Sequence, residues 1–191
     1  MLSYQERQAI YDIQKQLTEI EETIDKMKKI VDVFDLDAQR VEDLDADVDN
    51  VQTQLYVDVN TIREIRRRAR PTRLDSDRLE TAMADIFNQV RNYKETILPE
   101  YQKLVEQLLE KNDEINKKVE EKREKGEKVP NKEETKDALN EAAKKLQKAI
   151  DEKPRLQKSI GERTRDFIKH ISPYVNPLIE AAKIVLNLLV P

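Results

Sequence analysis

Apolar side chains recur every three or four positions through a stretch, Met1 to Arg70, that holds neither glycine nor proline. The first part of this series is Ile10, Ile13, Leu17, Ile20, Ile24, Met27, Val31 and Phe34. After an interruption between Val41 and Leu44 the series resumes and reaches Ala69. This spacing is the heptad pattern of a helix that buries one narrow seam against other helices. The pattern therefore predicts a long first helix.

Glycine and proline divide the rest of the chain. Pro71 ends the first apolar run, because the residue before a proline avoids the helical conformation. Gly126 followed by Pro130 is typical of a helix end and a loop. Pro173 is expected to stop a third helix, and Pro177 to begin a short last one, since proline fits the first helical position. The predicted helices span about residues 4–70, 76–125, 131–171 and 177–190.

Two pairs of polar residues resemble capping boxes at the starts of predicted helices. Asp77 is followed three residues later by Glu80, and Asn131 is followed by Glu134 at the same spacing. In such a pair each side chain accepts a hydrogen bond from the backbone of the other residue. We therefore expect the second helix to begin near residue 77 and the third near residue 131.

The predicted fold class is all-α. Short loops between long helices favour antiparallel neighbours, so the sequence predicts an elongated antiparallel three-helix bundle or coiled coil with a short apolar C-terminal helix. Residues 1–191 would form a single elongated domain. Pro99 and Pro154 predict kinks in the second and third helices. The interruption near residues 41–44 is expected at a similar height, so that the helices bend together.

The first turns of the first helix lack an obvious neighbour. In the antiparallel register, residues 4 to about 20 extend beyond the end of the second helix. Either this seam pairs with another chain, or the first helix breaks near Asp35-Leu36-Asp37 and folds back. The two alternatives predict a dimer and a compact monomer, and spacing does not choose between them. The candidate partner-binding side chains of this seam are Ile10, Ile13, Leu17 and Ile20.

Composition and charge disfavour several classes of protein. The formal net charge of −4 lacks the basic excess of a typical nucleic-acid binder. There is no cysteine, so disulfides and thiolate metal sites are excluded. Residues 4–16 are too polar for a signal peptide, and no apolar run approaches the roughly 20 residues of a membrane span. We expect a soluble chain, either cytoplasmic or secreted with its signal removed.

An acidic stretch covers residues 32–49. Asp45, Asp47 and Asp49 alternate as in a calcium loop, but the positions of the loop glycine and of the final glutamate hold other residues. An acidic helix face is the simpler interpretation. The antiparallel register sets that face opposite Lys144, Lys145 and Lys148 of the third helix, and the alternative is a docking face for a basic partner.

Two further surfaces are candidates for binding. Arg63, Arg66 and Arg70 lie near one side of the first helix at its end. There they would either complement the helix dipole or bind the carboxylates or phosphates of an acidic partner or a lipid. The C-terminal helix is apolar around most of its circumference. It would pack over the bundle, bind a partner groove or insert into a membrane; its candidate contact residues are Leu178, Val185 and Leu189.

No arrangement of residues indicates catalysis, a cofactor or a metal site. His170 is the only histidine, and neither a glycine-rich phosphate loop nor a nucleophile motif is present. We therefore expect a non-enzymatic helical protein–protein interaction module, acting as a scaffold, adaptor or binding ligand. It would use the exposed seam or the C-terminal helix to bind another protein or a second copy of itself. The alternative is a lipid-associating or membrane-inserting bundle, of a curvature-binding or pore-forming kind.

Overall fold

A computed structural model describes residues 2–158 and 164–190, with side chains described for residues 2–152 and 173–190. The described backbone is helical apart from short connections and contains no strand, which confirms the all-α class. The arrangement differs from the predicted three long helices. The elements are α1 (Tyr4–Phe34), α2 (Ala38–Arg67), α3 (Arg73–Asn92), a π-helical turn (Tyr93–Ile97), α4 (Leu98–Glu110), α5 (Asn112–Glu124), α6 (Lys132–Lys158) and α7 (Thr164–Leu189).

The predicted first helix over residues 4–70 is two antiparallel helices. Asp35 ends α1 in the left-handed conformation, with a φ of 48°, and the Leu36 amide donates to the carbonyl of Val31 over 3.0 Å. Asp37 then caps α2 by accepting a hydrogen bond from the Arg40 amide, 3.1 Å away. The chain therefore folds back, which was the second of the two alternatives. The interruption near residues 41–44 marks the start of a new helix and not a bend in a continuous one.

The predicted second helix is interrupted at the expected proline. Pro99 has no amide hydrogen, and its ring crowds the carbonyl one turn earlier. The turn before it is widened to a π-helix, in which the Leu98 amide bonds to the Tyr93 carbonyl five residues back. A further break at Lys111 separates α4 from α5. The kink predicted at this proline therefore corresponds to a π-helical turn.

The predicted boundary at Pro173 is wrong, because α7 runs through both Pro173 and Pro177. The side chains of Tyr174, Val175 and Leu178 beside these prolines are buried. Burial of an apolar side chain contributes about 1.5–3 kcal/mol, whereas a proline inside a helix costs about 3 kcal/mol. Several buried side chains therefore offset the two prolines. Pro154 lies outside the residues whose side chains are described.

α6 packs along α7, α1 packs on both α2 and α7, α4 and α5 each contact α7, and α3 packs mainly on α2. Four hydrogen bonds, three of them buried, fix the relative heights of α1, α4 and α7. They join Gln16 Nε2 to Asn176 Oδ1 (3.0 Å), the Tyr93 hydroxyl to Gln16 Oε1 (3.0 Å), Thr23 to the Tyr101 hydroxyl (2.8 Å), and the Tyr174 hydroxyl to Gln102 Oε1 (2.6 Å). Because each such pair is satisfied only at one height, α1, α4 and α7 are held in register.

The predicted pairing of the acidic stretch with lysines of the third helix is not what the structure shows. Asp45 accepts from Lys28 Nζ of α1 at 2.5 Å, because the turn at residues 35–37 brings α1 alongside. Lys145 pairs instead with Glu180 of α7 at 3.3 Å. Pairs exposed to this extent contribute little to stability, so they specify neighbours more than they strengthen the fold.

Candidate functional site

The seam predicted to be exposed on the first helix is part of the core. Ile10 and Ile13 are 2% exposed, and Leu17 and Ile20 are fully buried. The reversal after α1 lays α2 along this seam, and α7 covers it from another side. The prediction that these four side chains are exposed to a partner is therefore wrong.

The apolar surface of the C-terminal helix is also internal. Leu178 and Val185 are fully buried and Leu189 nearly so, which is the core-packing outcome among the three considered. Lys122 Nζ of α5 donates to the Leu189 carbonyl over 2.6 Å and holds the end of α7 against the bundle. Among the described residues, no helix is long and apolar enough to cross a membrane.

The arginines of the candidate set are exposed. Arg63 and Arg66 face a groove between α1 and α2. Arg70 lies in the connection between α2 and α3 and does not line that groove. The structure thus brings two of the three predicted arginines into one site.

We call this concavity the arginine groove. It has a volume of about 350 Å³ and is lined by Leu2, Arg7, Ile10, Tyr11, Gln14, Val59, Ile62, Arg63, Arg66 and Arg67. Its floor is apolar, because Leu2, Ile10 and Ile62 are buried beneath it. Its rim is cationic and polar. A volume of this order lies at the lower end of the range found for ligand pockets, about 300–1,000 Å³.

Helical spacing explains how the groove forms. On α1, Arg7, Tyr11 and Gln14 follow each other at intervals of four and three residues and therefore share one side of the helix. On α2, Ile62 and Arg66 share a side for the same reason. Because α1 and α2 are antiparallel, the start of one helix lies beside the end of the other, and the two sides face a common space.

The edge of the groove is set by the start of α1. Ser3 and Glu6 form a capping box, with Ser3 Oγ accepting from the Glu6 amide at 3.2 Å and Glu6 Oε2 accepting from the Ser3 amide at 2.6 Å. Arg66 Nη2 donates to the Leu2 carbonyl over 3.3 Å. These bonds hold Leu2 in the floor of the groove, and Arg66 therefore has a partly structural role.

The rim arginines Arg7, Arg63, Arg66 and Arg67 take part in no ion pair within the part of the chain that the structure describes. Arg63 Nη1 bonds to the neutral Asn60 Oδ1 at 3.1 Å. The negative end of the α2 dipole, worth roughly half an elementary charge, offsets only a small part of four guanidinium charges. The groove is therefore a basic surface on a chain whose net charge is −4.

Arg68, the next residue after the rim, behaves differently. Its guanidinium is bonded to the buried carboxylate of Asp75. Hydrogen bonds from the Thr72 backbone and from Arg68 lower the pKa of Asp75, while burial opposes them. This pair holds the α2–α3 connection, so the charge of Arg68 is paired with a carboxylate inside the protein, whereas the charges of the rim arginines are not paired with any described carboxylate.

Sequence reasoning missed Arg7, Tyr11, Gln14 and Arg67 as members of this site. The only local signal was the repetition of polar residues on one side of α1, which any exposed helix shows. The α1 and α2 members lie about 50 positions apart in the sequence. Only the antiparallel pairing of α1 and α2 brings them together.

The groove has the chemistry of a binding site. A guanidinium stays protonated in proteins and donates hydrogen bonds without accepting them, so the rim offers no general base. No group of three potential metal-ligating side chains occurs among the described residues. Arginine forks above an apolar floor suit a ligand that carries both carboxylates and apolar groups. Comparison of the chain with protein-family models, with curated proteins and with solved structures gives no match.

Proposed function

We propose that this protein is a non-enzymatic helical interaction module that binds an acidic, amphipathic segment of a partner protein in the arginine groove. The observation that carries the proposal is the set of four rim arginines around an apolar floor, none of them paired with a carboxylate in the described part of the chain. The class of function is the one expected from the sequence. The surface differs from the two apolar surfaces considered in the sequence analysis, because the seam of α1 and the apolar side of α7 are buried. It includes three of the candidate residues, Ile10, Arg63 and Arg66.

The shape of the groove favours a helical segment. It lies between two antiparallel helices, and the furrow along such a pair is where a further amphipathic helix packs. Apolar residues of the ligand would cover Leu2, Ile10 and Ile62, while flanking carboxylates would meet Arg7 on one side and Arg63 or Arg67 on the other. The apolar contact would supply affinity, and the charges would supply association rate and selectivity.

The experiment compares two triple variants with equal loss of charge. The first, Arg7→Gln/Arg63→Gln/Arg67→Gln, removes three of the four rim arginines and keeps Arg66, which donates to the Leu2 carbonyl. The control, Arg70→Gln/Arg73→Gln/Arg78→Gln, removes three exposed arginines from the same end of the molecule but outside the groove. The probe is a fluorescent synthetic helix with leucines along one face and glutamates on both flanks.

Fluorescence anisotropy at low and physiological salt measures the affinity. We expect the rim variant to bind at least about tenfold more weakly, since loss of about 1.4 kcal/mol changes affinity tenfold. The control is expected to change it less than about twofold. Equal losses of affinity in both variants would show that the probe is attracted only by the positive charge at this end of the molecule, which would contradict binding in the groove. Failure of the unaltered protein to bind the probe at low salt would contradict it as well.

A lipid-associating protein is the second candidate, and the same groove favours it. Arginine binds phosphate as well as carboxylate, and the apolar floor could accommodate part of an acyl chain. Co-sedimentation with phosphatidylglycerol vesicles tests this function. Binding to vesicles that is lost in the rim variant and kept in the control would favour the lipid function, whereas no sedimentation with vesicles would remove it.

A further inference from the structure

The outer side of α3 carries a second apolar surface that is independent of the arginine groove. α3 buries Ala82, Ile86 and Val90 against its neighbours. Beside this buried side, a stripe of partly exposed apolar residues forms a shallow depression lined entirely by α3. The depression, which we call the α3 face, is lined by Leu79, Met83, Ala84 and Phe87 together with the polar residues Ser76 and Glu80.

Charged residues border the α3 face in an ordered way. Arg73, Asp77 and Glu80 follow each other at intervals of four and three residues and share one side of the first half of the helix, and Arg91 lies on the same side of the second half. None of these four takes part in an ion pair with any residue that the structure describes. Arg91 Nη2 donates to the neutral Asn88 Oδ1 at 3.1 Å. Glu80 and Arg91 thus lie at similar distances on either side of the middle of the α3 face and carry opposite charges.

We propose that the α3 face binds the α3 face of a second copy of this chain in an antiparallel, two-fold arrangement. A two-fold axis at the middle of the face places Glu80 of one copy opposite Arg91 of the other, so this pair of charges is complementary to itself. With Met83 of one copy level with Phe87 of the other, Glu80 lies level with Arg91. A methionine sulfur beside an aromatic ring is itself a favourable contact.

The size of the face sets the strength of the contact. α3 has 20 residues, which corresponds to a length of about 30 Å. One helix pair of that length buries less than the roughly 1,200–2,000 Å² of a stable interface. The dimer is therefore weak, with a dissociation constant in the micromolar range or above, and its formation depends on protein concentration.

Sedimentation velocity from about 1 µM to 1 mM tests the proposal on the full chain. Met83→Glu places a charge in the centre of the face and is expected to weaken the dimer at least tenfold. Leu74→Glu is the matched control, because Leu74 is exposed on α3 but outside the depression. Circular dichroism verifies that both variants keep their helix content.

A charge exchange tests the antiparallel register. Arg91→Glu alone sets like charges opposite each other and is expected to weaken the dimer, whereas the double change Glu80→Arg/Arg91→Glu restores the attraction and the dimer. A chain that stays monomeric over the whole concentration range would overturn the proposal. So would a dimer that Met83→Glu leaves intact, or a double variant no stronger than Arg91→Glu.

Discussion

A buried pair of hydroxyl groups joins α1 to α4 and allows a sharp test of the packing. The Thr23 and Tyr101 oxygens are 2.8 Å apart, and both side chains are buried. Thr23 Oγ1 also donates to the Ile20 carbonyl at 2.7 Å. A threonine hydroxyl has a single hydrogen. Tyr101 is therefore the donor of this pair and Thr23 its acceptor.

This assignment predicts unequal effects for the two single substitutions. Thr23→Val leaves the buried Tyr101 hydroxyl without an acceptor, which costs about 1–3 kcal/mol. Tyr101→Phe removes the donor, while Thr23 keeps its bond to the Ile20 carbonyl, so the cost is the net value of one hydrogen bond, about 0.5–1.5 kcal/mol. Because replacing both partners by apolar groups can be nearly neutral, the double variant is expected to be no less stable than Tyr101→Phe alone.

Urea unfolding followed by far-ultraviolet circular dichroism measures the three free energies, and thermal unfolding should agree with a shift of about 2–4 °C per kcal/mol for a chain of this size. Thr18→Val is the matched control. Thr18 is exposed on the same helix and donates to the Gln14 carbonyl at 3.1 Å, so its loss should stay within about 0.5 kcal/mol. If Tyr101→Phe cost as much as Thr23→Val or more, the assigned donor and acceptor would be refuted, and a double variant as unstable as the sum of the single ones would refute the hydrogen bond itself.

Two further predictions concern pH. Burial raises the pKa of Tyr174 to about 12, so its contribution to stability is complete below the ordinary value near 10 and is lost as pH rises towards 12; at pH 11 the loss is about 1.4 kcal/mol. Urea midpoints at pH 9 and 11 should therefore differ less in Tyr174→Phe than in the unaltered protein, and equal differences would contradict the burial argument. Burial and the nearby Asp85 carboxylate raise the pKa of Asp58, against a hydrogen bond from Gln54, so ionisation of Asp58 opposes folding at neutral pH. Asp58→Asn is expected to raise the urea midpoint at pH 7 and to lose that gain near pH 3, whereas a lower midpoint at pH 7 would contradict it.

Local features of the fold could be read from the sequence where a short-range interaction decides them. Asn131 and Glu134 form the expected capping box, with the Glu134 amide bonded to Asn131 Oδ1 at 2.8 Å. The box expected from Asp77 is instead made five residues earlier by Thr72 and Asp75. Asp75 fits there because Arg68 also binds its carboxylate, and that partner is the C-terminal cap of the preceding helix.

Features that depend on contacts between distant segments could not be predicted from the sequence pattern. The turn at Asp35 is made by a residue that tolerates the left-handed conformation poorly compared with glycine, so the sequence lacked the usual sign of a helix end. The prolines of α7 were predicted to end a helix because their cost is local, while the burial that offsets this cost comes from the helices packed on α7, chiefly α6 and α1. For the same reason the sequence could not distinguish the apolar seam of α1 from the floor of the arginine groove. Ile10 belongs to both.

The sequence by itself determined that the chain is helical, which side of each helix is apolar, and that α1 either needed a partner chain or folded back. Those properties depend on residues within one or two turns of each other. Tertiary structure decided that α2 is the neighbour that buries the seam of α1. It also decided that the arginines near residue 65 meet Arg7 and Tyr11 across a groove, and that the second apolar stripe of α3 stays partly exposed. The physical reason is that burial and charge pairing depend on which helix lies opposite, and one turn of three residues, 35–37, fixes that choice for the first third of the chain.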